Sequence, residues 1–340
     1  MEPVRHRRFP NDLNGWPIVF PFRIAALVVV AAVAAMAWVL TCGAWRLEEE
    51  VDRVGPLETR NYTRLTAITV GTGDRHENPV RRGPATAIGL GERIVLVDAG
   101  RALAGALRLA RIPAKQPDTV YLTSLLPENV VGLDDFLLIS WINGRETPLR
   151  IVGPRGTRAL ADALIGAHRS GIEARAGGMG IRSAAPQVEV VEVSDGWSEQ
   201  LGDLQVRAGA LPGGPIDALA YRFEARGRSA VIAGVGWAEA ELIEFARGAN
   251  LLVHEAVYIP TPEVAEQMEF DEDPELLLRA AREHTAIDAV GALAQQAGVE
   301  TLVLVQMRPP PVYALQITSV VNDTFDGRIS IAEDGDEFTP

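Results

Sequence analysis

Thr119-Val120-Tyr121-Leu122-Thr123-Ser124-Leu125-Leu126-Pro127-Glu128-Asn129 is the stretch on which the reading of this chain turns. Residues 119–122 are apolar or β-branched, as a short buried strand requires. The loop after them carries two hydroxyls, two leucines and a proline, then Glu128 and Asn129, before the apolar run Val130-Val131-Gly132-Leu133. Leucine and proline have no donor atoms for a metal. Thr123 and Ser124 are nucleophiles only beside a base, which sequence alone does not place.

Working outward, residues 65–70 read as a strand, 85–90 and 93–97 as a hairpin about Gly91-Glu92, and 101–111 as a helix closed by Pro113. Past the central loop come a strand at 149–152, ended by Gly153-Pro154, and a helix at 157–168. Strands follow at 188–193, 204–208, 218–224 and 229–233, the last two forming a hairpin about Arg226-Gly227. A helix at 238–246 and a short strand at 251–253 come next. Helices at 274–282 and 287–297, a strand at 300–305, a helix near 313–322 and a strand at 328–331 complete the pattern. Strands lead and helices follow, twice over. The expected fold class is α+β, a four-layer αββα sandwich, and 340 residues that are 47% hydrophobic suffice for its core.

Ahead of this region, residues 24–45 contain no charge and would span about 33 Å as a helix. Trp16, Phe20 and Phe22 flank one end, Trp38 and Trp45 the other, as interfacial aromatics do. Arg5, Arg7, Arg8 and Arg23 precede the span and Glu48-Glu49-Glu50 follow it. The expected layout is a cytoplasmic basic tail (1–23), a transmembrane helix (24–45), a polar tether (46–61) and an outer, periplasmic domain (62–340). That makes a single-pass inner-membrane protein. A cleaved signal peptide and lipidation of Cys42 are the rival readings of the same segment.

A net charge of −13 disfavours phosphate backbones as partners, so no nucleic acid is expected. Cys42 is the one cysteine, which excludes an internal disulfide and a cysteine zinc site. The histidines are His6, His76, His168, His254 and His284, and His6 precedes the span.

Separated motifs, in order, resemble the ribonuclease Z-like branch of the metallo-β-lactamase superfamily. Ile68-Thr69-Val70-Gly71-Thr72-Gly73 is similar to its opening strand and glycine turn, and Val95-Leu96-Val97-Asp98-Ala99-Gly100 to its second buried strand. Gly153-Pro154-Arg155-Gly156-Thr157 is similar to its Gly-Pro-x-Gly-Thr turn. Leu251-Leu252-Val253-His254-Glu255-Ala256 and Glu283-His284-Thr285-Ala286 are similar to two later elements. The resemblance covers residues 65–310 and implies two zinc ions that activate a water.

At the place of the family's Thr-His-x-His-x-Asp-His, this chain has Ser124, Leu126, Glu128 and Asn129 instead of the ligands. The remaining ligand positions would fall near Leu211-Pro212-Gly213, at Val235 and at Gln306. The expectation is therefore no metal and no cofactor: a non-catalytic relative binding a small ligand or an envelope protein, with a homodimer left open. The alternative is a hydrolase of phosphodiesterase, sulfatase or lactonase type with a rebuilt site for one zinc or manganese ion. Glu128, His254, Glu255, His284 and Asp98 would supply that site. A literal tRNA-processing enzyme conflicts with the missing ligands and the charge, and a purely structural tethered domain is a further reading.

What remains in the cleft is His254, Glu255 and His284 as acid–base residues, with Asp98, Thr123, Ser124, Glu128, Asn129 and His76 around them. The competing reading makes Asp98 a loop-ordering carboxylate and His254 a bonded core histidine at a strand end. His76 lies in a polar loop, where Arg81 and Arg82 would hold an anion or stand in solvent. His168 is expected to be exposed at the end of its helix.

Overall fold

The computed structural model describes residues 19–178, 185–260, 264, 275, 283–308 and 314–340. The basic tail with Arg5, Arg7, Arg8 and Trp16, the expected helix at 274–282 and the acidic connection before it lie outside the described residues, those at 274 and 276–282 included.

One helix, α1 (Val19–Val54), forms a unit of its own ahead of Leu57. Within it Ala25–Leu47, 23 residues of mean hydropathy 2.4, is long and apolar enough to cross a membrane. Leu27, Val33, Met36 and Trp38 are all exposed along it. The expected polar tether is helical as far as Val54. Arg46, Leu47 and Glu48-Glu49-Glu50 are strong helix formers, and Gly55-Pro56 supplies the stop.

From Leu57 to Pro340 the chain is a second compact unit. It runs β1 (Tyr62–Gly71), β2 (Ala85–Gly91), β3 (Arg93–Val97), α2 (Leu103–Leu109), β4 (Thr119–Tyr121), α3 (Pro127–Val130), α4 (Leu133–Ile142), β5 (Leu149–Gly153), α5 (Thr157–Gly178) and β6 (Val188–Glu192). It continues through β7 (Ser198–Leu201), β8 (Leu204–Ala210), β9 (Leu219–Ala225), β10 (Arg228–Ala233), α6 (Glu239–Ala246), β11 (Leu251–Val257), α7 (Ile287–Ala297), β12 (Thr301–Arg308), α8 (Ala314–Asn322), β13 (Arg328–Ile331) and β14 (Glu337–Phe338).

Among the described residues these strands make two seven-stranded sheets, in the orders β14-β1-β2-β3-β4-β5-β6 and β13-β12-β11-β10-β9-β8-β7. From β3 to β6, and from β10 to β13, neighbours are parallel. Parallel strands are buried on both faces, and β3 shows how its sequence meets that demand. Val95 and Val97 enter the core between the sheets, while Ile94 and Leu96 pack outward with Leu103, Leu107 and Phe136 of α2 and α4. A third cluster packs Val231, Leu252 and Leu304 against Leu242, Leu293 and Val321 of α6, α7 and α8. Three clusters between four layers are the expected αββα sandwich.

Several local expectations change. α4 is a nearly continuous apolar run with no clear helical face, so its period is hidden. β7 and β14 are short edge strands of ordinary polarity. α5 extends to Gly178, which puts His168 inside the helix, bonded to Asp134 at 3.1 Å and partly covered. β11 continues to Val257 with every residue buried, so His254 and Glu255 lie within the strand and not past its end.

The two sheets are joined by aromatics. Tyr121 of β4 meets Tyr221 at 5.1 Å and Phe223 edge-on at 5.6 Å, and its hydroxyl bonds Glu199 of β7. Replacing the fully buried Phe223 by alanine should lower unfolding free energy by about 3–5 kcal/mol. Denaturant titration followed by near-UV dichroism measures it, and a loss under about 1 kcal/mol would contradict this packing.

Candidate functional site

The carboxyl ends of β3, β4, β10, β11 and β12 bring the sequence-derived residues to one edge of the sandwich. Asp98, just past β3, adopts a left-handed backbone with φ 63°, which aspartate tolerates better than most residues. Its carboxylate accepts from the Thr123 backbone N–H at 2.8 Å and faces the Thr123 hydroxyl at 2.8 and 3.0 Å. Asn129 of α3 donates its amide to the Thr123 hydroxyl at 2.8 Å and to that of Ser124 at 3.1 Å. Ser124 in turn accepts from the Leu126 N–H. Asp98, Thr123, Ser124 and Asn129 are all buried. The loop is also tied to the second sheet, since Leu219 donates to the Thr123 carbonyl at 2.7 Å.

Gly234, one residue beyond β10, closes over this group. A Cβ there would sit 2.5 Å from the Thr123 hydroxyl oxygen and 3.1 Å from Asp98 Oδ2, so only glycine lets the backbone approach this closely. A void of about 10 Å³ remains beside Asp98, Thr86, Gly234 and Gln306, on the order of one water molecule. Burial pushes the Asp98 carboxyl up to about 7, against the lowering effect of its Thr123 bonds, with a further push from the nearby charge of Glu128.

A second group lies on β11 and the segment before α7. His254 is fully buried, with Nε2 2.8 Å from the Thr285 hydroxyl and Nδ1 3.3 Å from the Ala233 carbonyl. These partners assign the proton to Nδ1, leaving Nε2 to accept from Thr285. Burial holds the His254 pKa below its ordinary value, so the ring is neutral. Glu255 Oε2 lies 2.6 Å from His284 Nδ1. Glu255 Oε1, His284 Nε2 and Asn129 Oδ1 are buried and have no hydrogen-bond partner among the described residues.

His76 does not join either group. Its ring bonds Asp74 at 2.8 Å and is 58% exposed, while Arg308 holds the same carboxylate at 3.0 Å. Of the two readings of Arg81 and Arg82, an anion site or a solvated loop, neither describes Arg81 fully, because both side chains have partners within the chain. Arg81 donates to the Thr72 hydroxyl and the Ala332 carbonyl, and Arg82 to the Val80 carbonyl. Asp334 fastens the loop by accepting from the N–H groups of Thr72 and Arg82. The roles of Gly234 and Asp334, and the bond of Thr285 to His254, were not readable from sequence because each depends on a contact made from far along the chain.

Do these residues fit the metal pair that the family resemblance implies? Leu126, Leu211 and Val235 belong to one apolar cluster with Trp237. The Ser124 hydroxyl and the Asn129 amide N–H groups bond each other and the loop, while Asn129 Oδ1 has no partner among the described residues. Gln306 sits at φ 51° with its N–H on the Thr72 carbonyl. Among the described residues no three His, Cys, Asp or Glu side chains gather as a metal-holding group. The residues do not fit a dinuclear centre.

No family model matches the chain. A ribonuclease Z of Mycobacterium sp. (strain KMS) is 31% identical over 249 residues, covering 72% of this chain and 85% of the relative. The chain belongs to the ribonuclease Z family. The fold of this chain is shared with solved structures, among them a metallo-β-lactamase-fold protein. YhfI from Bacillus subtilis has a TM-score of 0.63 at 15% identity, over 81% of this chain and 99% of that one. The short form of human tRNase Z has a TM-score of 0.59 at 17% identity, over 81% and 98%.

Two outcomes follow from the Asp98 group. A carboxyl raised on folding contributes stability that is complete below its unfolded value of 3.8 and lost as pH rises through about 7. Unfolding midpoints from pH 4 to 8 should fall through that window in the wild type, and Asp98→Asn should remove that part of the slope. Parallel profiles for the two proteins would contradict the assignment. Gly234→Ala, which forces a methyl into the Thr123 hydroxyl, should destabilise by about 1–3 kcal/mol in the same measurement.

Proposed function

We propose that this chain is a membrane-anchored member of the ribonuclease Z family without a metal centre, a non-catalytic relative that binds a small ligand or an envelope protein. One observation carries the reading. The space at the ends of β3 and β4 is occupied by the Asp98–Thr123–Asn129–Ser124 bonding group, with the Gly234 backbone pressed against it. A cation there would have to break these bonds and displace the Gly234 backbone.

Anchoring is supported by the exposed apolar length of α1. The arginines before it and the glutamates after it favour a cytoplasmic N-terminus and an outer, periplasmic location for residues 62–340. The relatives carry the name ribonuclease Z, but a net charge of −13 argues against RNA as the ligand here.

The hydrolytic alternative has one observation in its favour, the Glu255–His284 pair with both outer atoms unpartnered among the described residues. Such a pair holds and moves a proton between Glu255 and His284 Nδ1. If it serves catalysis, Glu255→Gln and His284→Ala will each abolish a measurable phosphodiesterase, sulfatase or lactonase turnover.

Two tests separate the readings. Millimolar chelator should leave the thermal midpoint of the purified protein unchanged, whereas a fall of several degrees would mean that a structural metal had been removed. Alkaline carbonate should leave the full chain in the membrane pellet and release a form lacking residues 1–47. Release of the full chain would overturn the anchor.

A further inference from the structure

The cleft edge is one pole of the sandwich. The opposite pole, where β1 begins and the β9–β10 hairpin turns, holds a second cavity of about 390 Å³. Its floor is apolar, made by the buried Leu65 and Ala225 at the open end of the core between the sheets. Its rim is cationic, made by Arg64, Arg226 and Arg228, and Pro340 closes one side. An apolar floor under a ring of guanidinium groups suits an amphiphilic anion.

The turn that presents these arginines has an unusual composition. Arg226 and Gly227 are both left-handed, at φ 52° and 75°, in the two-residue hairpin between β9 and β10. Asparagine, aspartate or glycine normally takes the first of these positions, and arginine is strained there. The strained backbone sets the Arg226 guanidinium across the mouth of the cavity, donating to the Thr63 carbonyl of the other sheet at 2.9 Å. Its ion pair with Asp203 (3.2 Å) and that of Arg228 with Glu300 (3.5 Å) are exposed on both sides, so they hold the arginines only weakly. Arg64 has no ion pair among the described residues.

This pole is also where the chain enters the domain. Only the seven residues Gly55–Asn61 separate α1 from β1, a connection that reaches about 25 Å at most. We propose that the Arg64–Arg226–Arg228 cavity takes the phosphate-bearing headgroup of an anionic phospholipid. The occupant rests on the anchoring reading given above. In a chain of net charge −13, these three arginines, two of them in weak exposed ion pairs with Asp203 and Glu300, are the groups through which this pole would meet an anionic surface.

Hydrogen exchange of the full chain in nanodiscs tests this. Discs of phosphatidylcholine alone are compared with discs containing phosphatidylglycerol, and with phosphatidylcholine discs in millimolar inorganic phosphate. The expected result is several-fold slower exchange at residues 62–65 and 225–229 in the anionic discs, lost in Arg64→Gln/Arg228→Gln. That double substitution spares the Arg226 bond to Thr63, so the hairpin stays folded. Equal exchange in both kinds of disc would overturn the proposal. Equal protection by inorganic phosphate in neutral discs would overturn the headgroup as occupant and place a soluble anion there. Failure of the chain to co-elute with either disc would defeat the anchor instead.

Discussion

The hydrogen bonds between Asp98 and Thr123 tie the end of β3 to the end of β4, and the rest of the cleft edge is arranged around them. Asn129 reaches the same hydroxyl from α3, and the Asn129 carbonyl accepts from the Ala99 N–H at 2.7 Å, so the loops after both strands move as one piece. Gly234 brings the second sheet onto this piece, and Leu219 fastens it to the Thr123 carbonyl. A buried carboxyl is costly unless its oxygens are bonded. Here the bonds come from one threonine, which explains why a hydroxyl residue and a tight glycine stand together where loops could otherwise open.

Within this frame the cleft divides by chemistry. The β3–β4 side is the bonded Asp98–Thr123–Asn129–Ser124 group, and the neighbouring positions Leu126, Leu211, Val235 and Trp237 belong to the outer apolar cluster. The β11 side keeps a neutral, bonded His254 and a Glu255–His284 pair whose outer atoms find no partner among the described residues. The first side is built for rigidity. The second retains groups able to meet a ligand, as the proposed binding role requires.

Much of this was legible in the sequence. Alternating and doubly apolar strands such as Val95-Leu96-Val97 announced two buried sheets, and the ordered glycine and proline turns located the cleft loops. Donor-free side chains at Leu126 and Val235 were readable as a loss. Other features were hidden because they depend on contacts distant in sequence. The pairing of Asn129 with Thr123 and Ser124 needs α3, a single turn with no periodic signal. The partners of Arg81 and Arg82 are the Thr72 hydroxyl and the Ala332 and Val80 carbonyls, two of them distant in sequence from Arg81 or made only by the folded loop. The helical run to Val54 was masked by its polarity, although its glutamates are good helix formers.

In the proposed role the cleft holds its own side chains and no metal. The most direct test is the metal content of the full-length protein, purified without chelator from cells grown with added zinc and manganese. Plasma mass spectrometry should find less than about a tenth of an equivalent of either metal per chain. One or two retained equivalents, lost on replacing Glu128, His254 or His284, would contradict the account and restore the chain to the metal-dependent hydrolases.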